Sequence, residues 1–420
     1  MQTYPNPCAE KAGPIKKWIL VLLGMALSVS AEAQNMERAR KTLEKLSSEN
    51  FAGRGYLENG HTKAAAFIRK KFKQLGLKPL GGSYYQNFTI TQNLFPRNPE
   101  LSLNGRKLVP GKDFIPAPDC PSLNGKFSIR KSDTLLPFPL EKFEPKQAWL
   151  SSKKISKKWL NSPYRKLGLP SLFLDTASRL THSLSENSGS SARLIIKKES
   201  FSPVDSLLEC SLYAKTESIE TRNVIGMLRG TQFPDSFLVV CAHYDHLGKI
   251  GTSTLFPGAN DNASGTAFML ELAAWFSKKP LPWSLLFIAF SAEEAGLQGS
   301  RYLVQHPPVP LSRIRFVMNL DLIGFGDKGA TVVNGTVHEK EFRRLVSINS
   351  SKGYLPEIKA RGKAANSDHY PFSEMGVPAF FLYTLGGPGH YHDISDRAET
   401  VTFSGFINTF GLVRDFLEGF

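Results

Sequence analysis

Residues 236–246 read Ser-Phe-Leu-Val-Val-Cys-Ala-His-Tyr-Asp-His. An unbroken apolar run passes directly into a cluster of ionisable residues. A short continuous apolar run of this kind suits a β-strand covered on both faces, where no polar alternation is needed. The switch to His243, Asp245 and His246 marks the point where such a strand leaves the core. The same pattern recurs downstream, with apolar runs at Ser284–Phe290, Ile314–Leu320, Thr331–Val333 and Ala379–Tyr383. Helical spacing separates them, in Ala263–Phe276 (Met269 being a core residue) and in Phe406–Leu417. Strands alternating with helices predict an α/β fold: a three-layer α/β/α arrangement with a mixed, mostly parallel central sheet.

Towards the N-terminus, Ala65, Ile68, Phe72 and Leu75 share one face of a helix predicted over 61–77, and Gly76 is placed to end it. An earlier helix is expected over 36–48. From about 96 to 218 the character changes. Pro, Ser and Lys dominate, with short strand-like runs at Pro170–Leu174 and Leu194–Ile196. This stretch reads as an inserted, smaller β-rich domain. The organisation expected is 1–33 as a signal peptide, 34–95 and 219–420 as the catalytic unit, and 96–218 as the insert. The signal reading rests on Lys16 and Lys17, the apolar run Trp18–Val29 and the small-x-small tripeptide Ala31-Glu32-Ala33. It implies a secreted or periplasmic protein, in which disulfides can form. Cys241 lies inside a strand and reads as a buried thiol. Whether Cys120 and Cys210 pair is not decided by sequence.

The 420 residues carry a formal charge of +15, of which the stretch 121–200 alone holds +9. That excess raises the question of nucleic acid. The cations are not arrayed on one helix face with aromatics between them, so the reading is a solvated basic surface and no nucleic-acid partner. No apolar run reaches the ~18–20 residues of a membrane span, so no integral membrane association is expected.

The chemistry concentrates at the strand ends. In open α/β sheets the crevice beyond the carboxyl ends of the strands is where ligands bind. His243, Glu294 (within Ser291-Ala-Glu-Glu), Asp321 and His392 (in the glycine-rich loop after Tyr383) all fall there, and Asp261 opens the helix at 263. Carboxylates mixed with imidazoles suit zinc, with cobalt or manganese also able to occupy such ligands. Two ions with three protein contacts each need only five residues if one carboxylate bridges, and Asp261 at its loop-to-helix junction is the best candidate. The ions would share a hydroxide. Asp245, at i+2 from His243, is expected to accept a hydrogen bond from the free imidazole nitrogen. Glu293, crowded by Glu294, is assigned as general base. Tyr244 and His246 are read as structural. Ser264 stands in Asn-Ala-Ser-Gly-Thr rather than in a G-x-S-x-G elbow, which argues against a serine hydrolase.

Taken together, His243-Tyr-Asp-His-Leu-Gly, Gly258-Ala-Asn-Asp-Asn-Ala-Ser-Gly, Ser291-Ala-Glu-Glu, Asn319-Leu-Asp-Leu-Ile-Gly, Ser367-Asp-His and Tyr391-His392 resemble the two-zinc aminopeptidase family, which also holds glutamate carboxypeptidase and glutaminyl cyclase. The likeness covers roughly 219–420. Phe51-Ala-Gly-Arg-Gly and Tyr85-Gln-Asn-Phe also resemble exported members, which often carry an insert like the protease-associated domain. The resemblance implies a zinc-dependent exopeptidase acting on the N-terminal bond of peptides. His243 and Asp321 would hold one ion, Glu294 and His392 the other, with Asp261 bridging. Asp368 matches a position near the substrate, a loop cap being the alternative. Tyr391 matches one that polarises the substrate carbonyl, with aromatic packing as the alternative. Three other outcomes stay open: a one-zinc glutaminyl-cyclase-like acyltransferase, another two-zinc hydrolase, and a non-catalytic binding protein on the same scaffold.

Overall fold

The computed structural model describes residues 36–131, 147–151, 172–190 and 192–420. The proposed signal segment lies outside them. The main sheet has eight strands, in the order Tyr85–Leu94, Lys215–Leu228, Trp283–Phe290, Phe233–His243, Ile314–Leu320, Ala379–Thr384, Ala330–Val333 and Ile358–Arg361. The four strands from Trp283–Phe290 to Ala379–Thr384 run parallel, and the flanking pairs bring in antiparallel neighbours. The sheet is therefore mixed, as expected.

The apolar runs are continuous because both faces of the strands are covered. Leu238, Val240, Ala242, Leu285, Phe287 and Ala289 point to one layer, packed with helices 36–46, Gly60–Gln74, Gly265–Phe276 and Phe406–Glu418. Phe237, Val239, Cys241, Leu286, Ile288 and Phe290 point to the other, with Leu303 and Val304 of Gln298–Gln305 and Phe372 of His369–Glu374. Alternation in a strand sends i and i+2 to the same side, so one apolar run feeds two cores. Met269 is fully buried. The helix expected from Ala263 begins at Gly265, because a π-helical turn occupies Ala259–Ser264.

A second eight-stranded sheet takes its strands from between Glu100 and Leu212, including Leu172–Ala177, Arg193–Lys197 and Leu207–Leu212. Strand Lys215–Leu228 of the main sheet runs across the expected 218/219 boundary. The second sheet has its own core around Phe114, Leu194, Ile196 and Leu208, closed from the main unit by Leu247, Ile250 and Phe256. Cys120, Cys210 and Cys241 are all buried free thiols. Burial pushes the Cys120 and Cys210 thiols up to about 12, so both are neutral at physiological pH.

Candidate metal centre

Parallel strands deliver the charged groups to one rim. His243 ends its strand, Asp321 follows Leu320, Glu293 and Glu294 follow the strand ending at Phe290, and His392 lies in the loop after Thr384. Asp261 sits in the π-helical turn, joined to Asn262 by a cis peptide bond. The turn is packed so tightly that Gly258, at φ +57°, has no room for a Cβ against Asp261 O and the His246 ring. Ala292, Leu322 and His392 also adopt positive φ. Two such residues beside the candidate ligands, and one that is itself a candidate ligand, mark backbone strain concentrated at the rim.

The sequence-predicted ligands converge. Asp261 Oδ1 lies 3.3 Å from His243 Nε2, which is 3.4 Å from Asp321 Oδ1. Asp261 Oδ2 lies 3.2 Å from His392 Nε2, which is 3.1 Å from Glu294 Oε2. One carboxylate thus faces two imidazole–carboxylate pairs, one through each oxygen. Both imidazoles turn Nε2 inward because Nδ1 is engaged elsewhere: with Asp245 O at 3.2 Å for His243, and with His182 O at 3.1 Å for His392. Asp321 Oδ1 is buried and accepts no hydrogen bond of good geometry, whereas its Oδ2 accepts from Ser367, itself held by Asn319.

Electrostatics describes a cluster that seeks cations. Burial opposes charge on His392, yet Glu294 and Asp261 raise it to about 11. Burial likewise opposes charge on His243, but Asp321 and its neighbours lift it well above the ordinary imidazole value. Conversely, despite burial, His392 and His246 hold Glu294 down to about 2, and the two imidazoles hold Asp261 well below the usual range. Protons on the two imidazoles supply the positive charge that buried carboxylates require. A metal ion placed among these oxygens and Nε2 atoms would supply it instead. His243, Asp261 and Asp321 form one group with ligand atoms within 4.8 Å of one another, and His246, Asp261 and Glu294 form another. The residues therefore fit a pair of divalent ions.

One expectation needs revision. The Asp245 carboxylate does not hydrogen-bond His243: its Oδ1 stands 3.8 Å from Nδ1, and the backbone carbonyl takes that place. Its oxygens instead accept the amides of Glu293 and Glu294, at 3.2 and 3.4 Å, so Asp245 fixes the turn rather than the ring. His246, read as structural, is fully buried, and its Nδ1 lies 2.7 Å from Glu294 Oε1. Tyr244 is buried and donates its hydroxyl to Arg222 O.

Glu293 lines the pocket above the cluster. Burial raises its carboxyl well above the usual range, and Glu294, Asp368 and Asp321 add to the effect against His243. Asp368 is fully buried behind that pocket rather than lining it, pushed up to about 7 by burial. Tyr391 is half-exposed and stacks on His392 with ring centroids 3.9 Å apart. The pocket, about 200 Å³, is completed by Leu322, Arg361, Asn366, Phe381 and Tyr383.

Two contributors were missed. Arg54 is completely buried, and its guanidinium donates to the carbonyls of Tyr244, Leu46, Pro257, Gly258 and Asp261 at 2.6–3.2 Å. Asp396 accepts the amides of Asn260 and Asp261 at 2.8 and 2.9 Å. Both clamp the turn that presents Asp261. Neither stands at a strand end, so nothing in the apolar pattern singles them out.

Residues 223–417, just under half of the chain, match the model of Peptidase family M28. Aminopeptidase YwaD of Bacillus subtilis (strain 168) is 32% identical over 204 residues, 47% of this chain and 43% of its own length. A probable zinc metalloprotease of Pyricularia oryzae is 35% identical over 172 residues, 40% of this chain and 33% of its own. The chain thus spans less than half the length of these relatives. Over nearly the whole chain the fold is that of a zinc aminopeptidase from Bacillus subtilis (TM-score 0.68, 21% identity, 91% of this chain and 94% of the other). It is equally that of an aminopeptidase from Aneurinibacillus sp. strain AM-1 (TM-score 0.65, 20% identity, 91% and 92%).

Proposed function

We propose that this chain is an exported, zinc-dependent aminopeptidase that removes the N-terminal residue of peptides. The observation that carries the reading is the Asp261 carboxylate, which offers one oxygen to the His243–Asp321 pair and the other to the His392–Glu294 pair. His243, Asp261 and Asp321 would hold one ion and Asp261, Glu294 and His392 the other. Bound zinc would supply Lewis acidity and make a water acidic enough to be deprotonated near neutral pH. Glu293, with its raised affinity for a proton, takes that proton and delivers it to the leaving amine. Asp368, buried nearby, keeps Glu293 basic. Asp245 holds the Glu293–Glu294 turn so that one carboxylate faces the cluster and the other the pocket. Tyr391 at the mouth is placed to orient the substrate carbonyl. A small pocket floored with acids favours a free ammonium and a single terminal side chain over a long polypeptide.

The test is hydrolysis of aminoacyl and N-acetylated peptide substrates by the zinc-loaded chain, with and without chelator. Cleavage of free N-termini only, lost on chelation and restored by zinc, is expected. Equal cleavage of blocked substrates would make it a different hydrolase, and cyclisation of N-terminal Gln peptides would place it in the cyclase branch. Export is tested separately by sequencing the N-terminus of the secreted product, expected near Gln34. Among the described residues, no helix is long and apolar enough to cross a membrane.

A further inference from the structure

The two inward-facing imidazoles are oriented by different parts of the chain. His243 finds its Nδ1 partner two residues away, in its own loop. His392 finds its partner in the second sheet. Between strands Leu172–Ala177 and Arg193–Lys197 the chain passes along the loop that carries His392. There His182 N–H donates to His392 O at 2.9 Å, and His182 O lies 3.1 Å from His392 Nδ1. A carbonyl can only accept, so Nδ1 carries the hydrogen and Nε2 is left facing Asp261 and Glu294.

Arg179 secures the same contact from the side. Its Nη1 donates to Gly389 O at 2.8 Å, and its Nη2 reaches Asp393 Oδ2 at 2.7 Å and lies 3.3 Å from His390 Nδ1. The far side of the strap is anchored by the buried His182 ring, stacked on Phe256 at 5.2 Å. The loop needs this help. Gly386, Gly387 and Gly389 all adopt positive φ, and 387–389 are exposed, so little in the loop itself restricts its backbone.

We propose that residues 179–182 of the second sheet's chain are positioning residues for the metal centre, fixing the tautomer and direction of His392, with Arg179 the side chain that holds the strap in place. The inserted sheet thereby becomes part of the metal centre rather than an appendage. This rests on reading His392 as a ligand. Groups that orient a ligating imidazole typically change metal affinity by about 10–100-fold when lost.

The experiment compares wild type, Arg179→Met, Arg179→Lys and Asp393→Asn by titration in zinc buffers, by zinc content after dialysis and by the visible spectrum of the cobalt-substituted chain. In Arg179→Met the ion held by His392, Glu294 and Asp261 should lose about 10-fold or more in affinity, with a changed cobalt spectrum, while the ion at His243 and Asp321 keeps its affinity. Arg179→Lys, which keeps the charge but not the fork, should fall in between, and Asp393→Asn should shift the same ion. A merely structural role would lower the melting temperature and leave both affinities and the spectrum as in wild type, and that result overturns the proposal. A wild-type chain that takes up fewer than two ions would sink the metal reading itself, and the proposal with it.

Discussion

The two eight-stranded sheets bury their side chains differently, and the difference explains where the chemistry sits. In the main sheet, Phe237–His243 and Ser284–Phe290 are buried without a break, because helices cover both faces. Ionisable groups then gather where the strands stop, and parallel strands stop at the same rim. In the second sheet, Arg193–Lys197 and Leu207–Leu212 alternate buried and more exposed residues, the mark of one wet face. Its charges spread over that face, meeting water or pairing locally, as Lys126 does with Glu209. All five candidate ligands therefore come from the main unit, although the insert holds much of the net charge. Convergence of charge here follows from topology rather than from composition.

The sharpest way to break this contrast is to remove the group on which the rim converges. Asp261→Ala should abolish uptake of both ions and reduce peptidase activity to background, as measured by zinc content and by aminoacyl substrate hydrolysis. Retention of one tightly held ion would show that the two halves of the rim assemble independently. Glu293→Gln should keep two ions per chain yet lower kcat by about 10²–10⁴-fold, the range expected for loss of a general base. A rate near wild type would remove Glu293 from the mechanism.

Arg54→Met probes the scaffold behind the rim. The substitution leaves up to five carbonyls without their donor in a fully buried place. Burial lowers the guanidinium to about 10, so it is still charged at neutral pH and its bonds are charge-assisted. Unpartnered buried polar groups should cost roughly 3–5 kcal/mol in total, read from urea unfolding of the metal-free chain. A loss of under about 1 kcal/mol would mean that the Asp261 turn holds its shape unaided.

The sequence made the strand ends legible because burial on both faces leaves a continuous apolar run and an abrupt stop, and most of those stops carried an acid or a histidine close by. Four of the five candidate ligands and the candidate base could be picked out from that one pattern, and Asp261 from its place at a helix start. Asp245 shows its limit. Its i+2 spacing places it near His243, but spacing does not reveal that the Glu293 and Glu294 amides compete for the same carboxylate. Apart from the Arg54 bond to Leu46 O, Arg54, Asp396 and the 179–182 strap act across 135 or more residues of chain, mainly through backbone carbonyls and amides. Backbone partners leave no trace in residue types, so nothing local could have announced them.

The finest test asks how far burial holds a histidine neutral beside the main sheet. His369 beside the main sheet and His182 in the strap are both buried and neutral, held down by burial to about 4 and about 3. For a histidine whose folded pKa is depressed, the unfolded chain binds the proton that the folded one refuses. The stability from excluding that proton is fully present above about pH 6.5 and drains as pH falls towards the folded value. For His369 the loss should approach roughly 3 kcal/mol by about pH 4, at 1.36 kcal/mol per pKa unit. His369→Phe keeps an aromatic ring next to Phe381, 5.5 Å away, and removes the titration. Denaturation midpoints of the metal-free wild type and variant should therefore differ least at pH 7.5 and move in the variant's favour as pH drops below 6. If the two curves run parallel from pH 7.5 to pH 4.5, His369 takes up its proton in the folded chain and is not sealed from water.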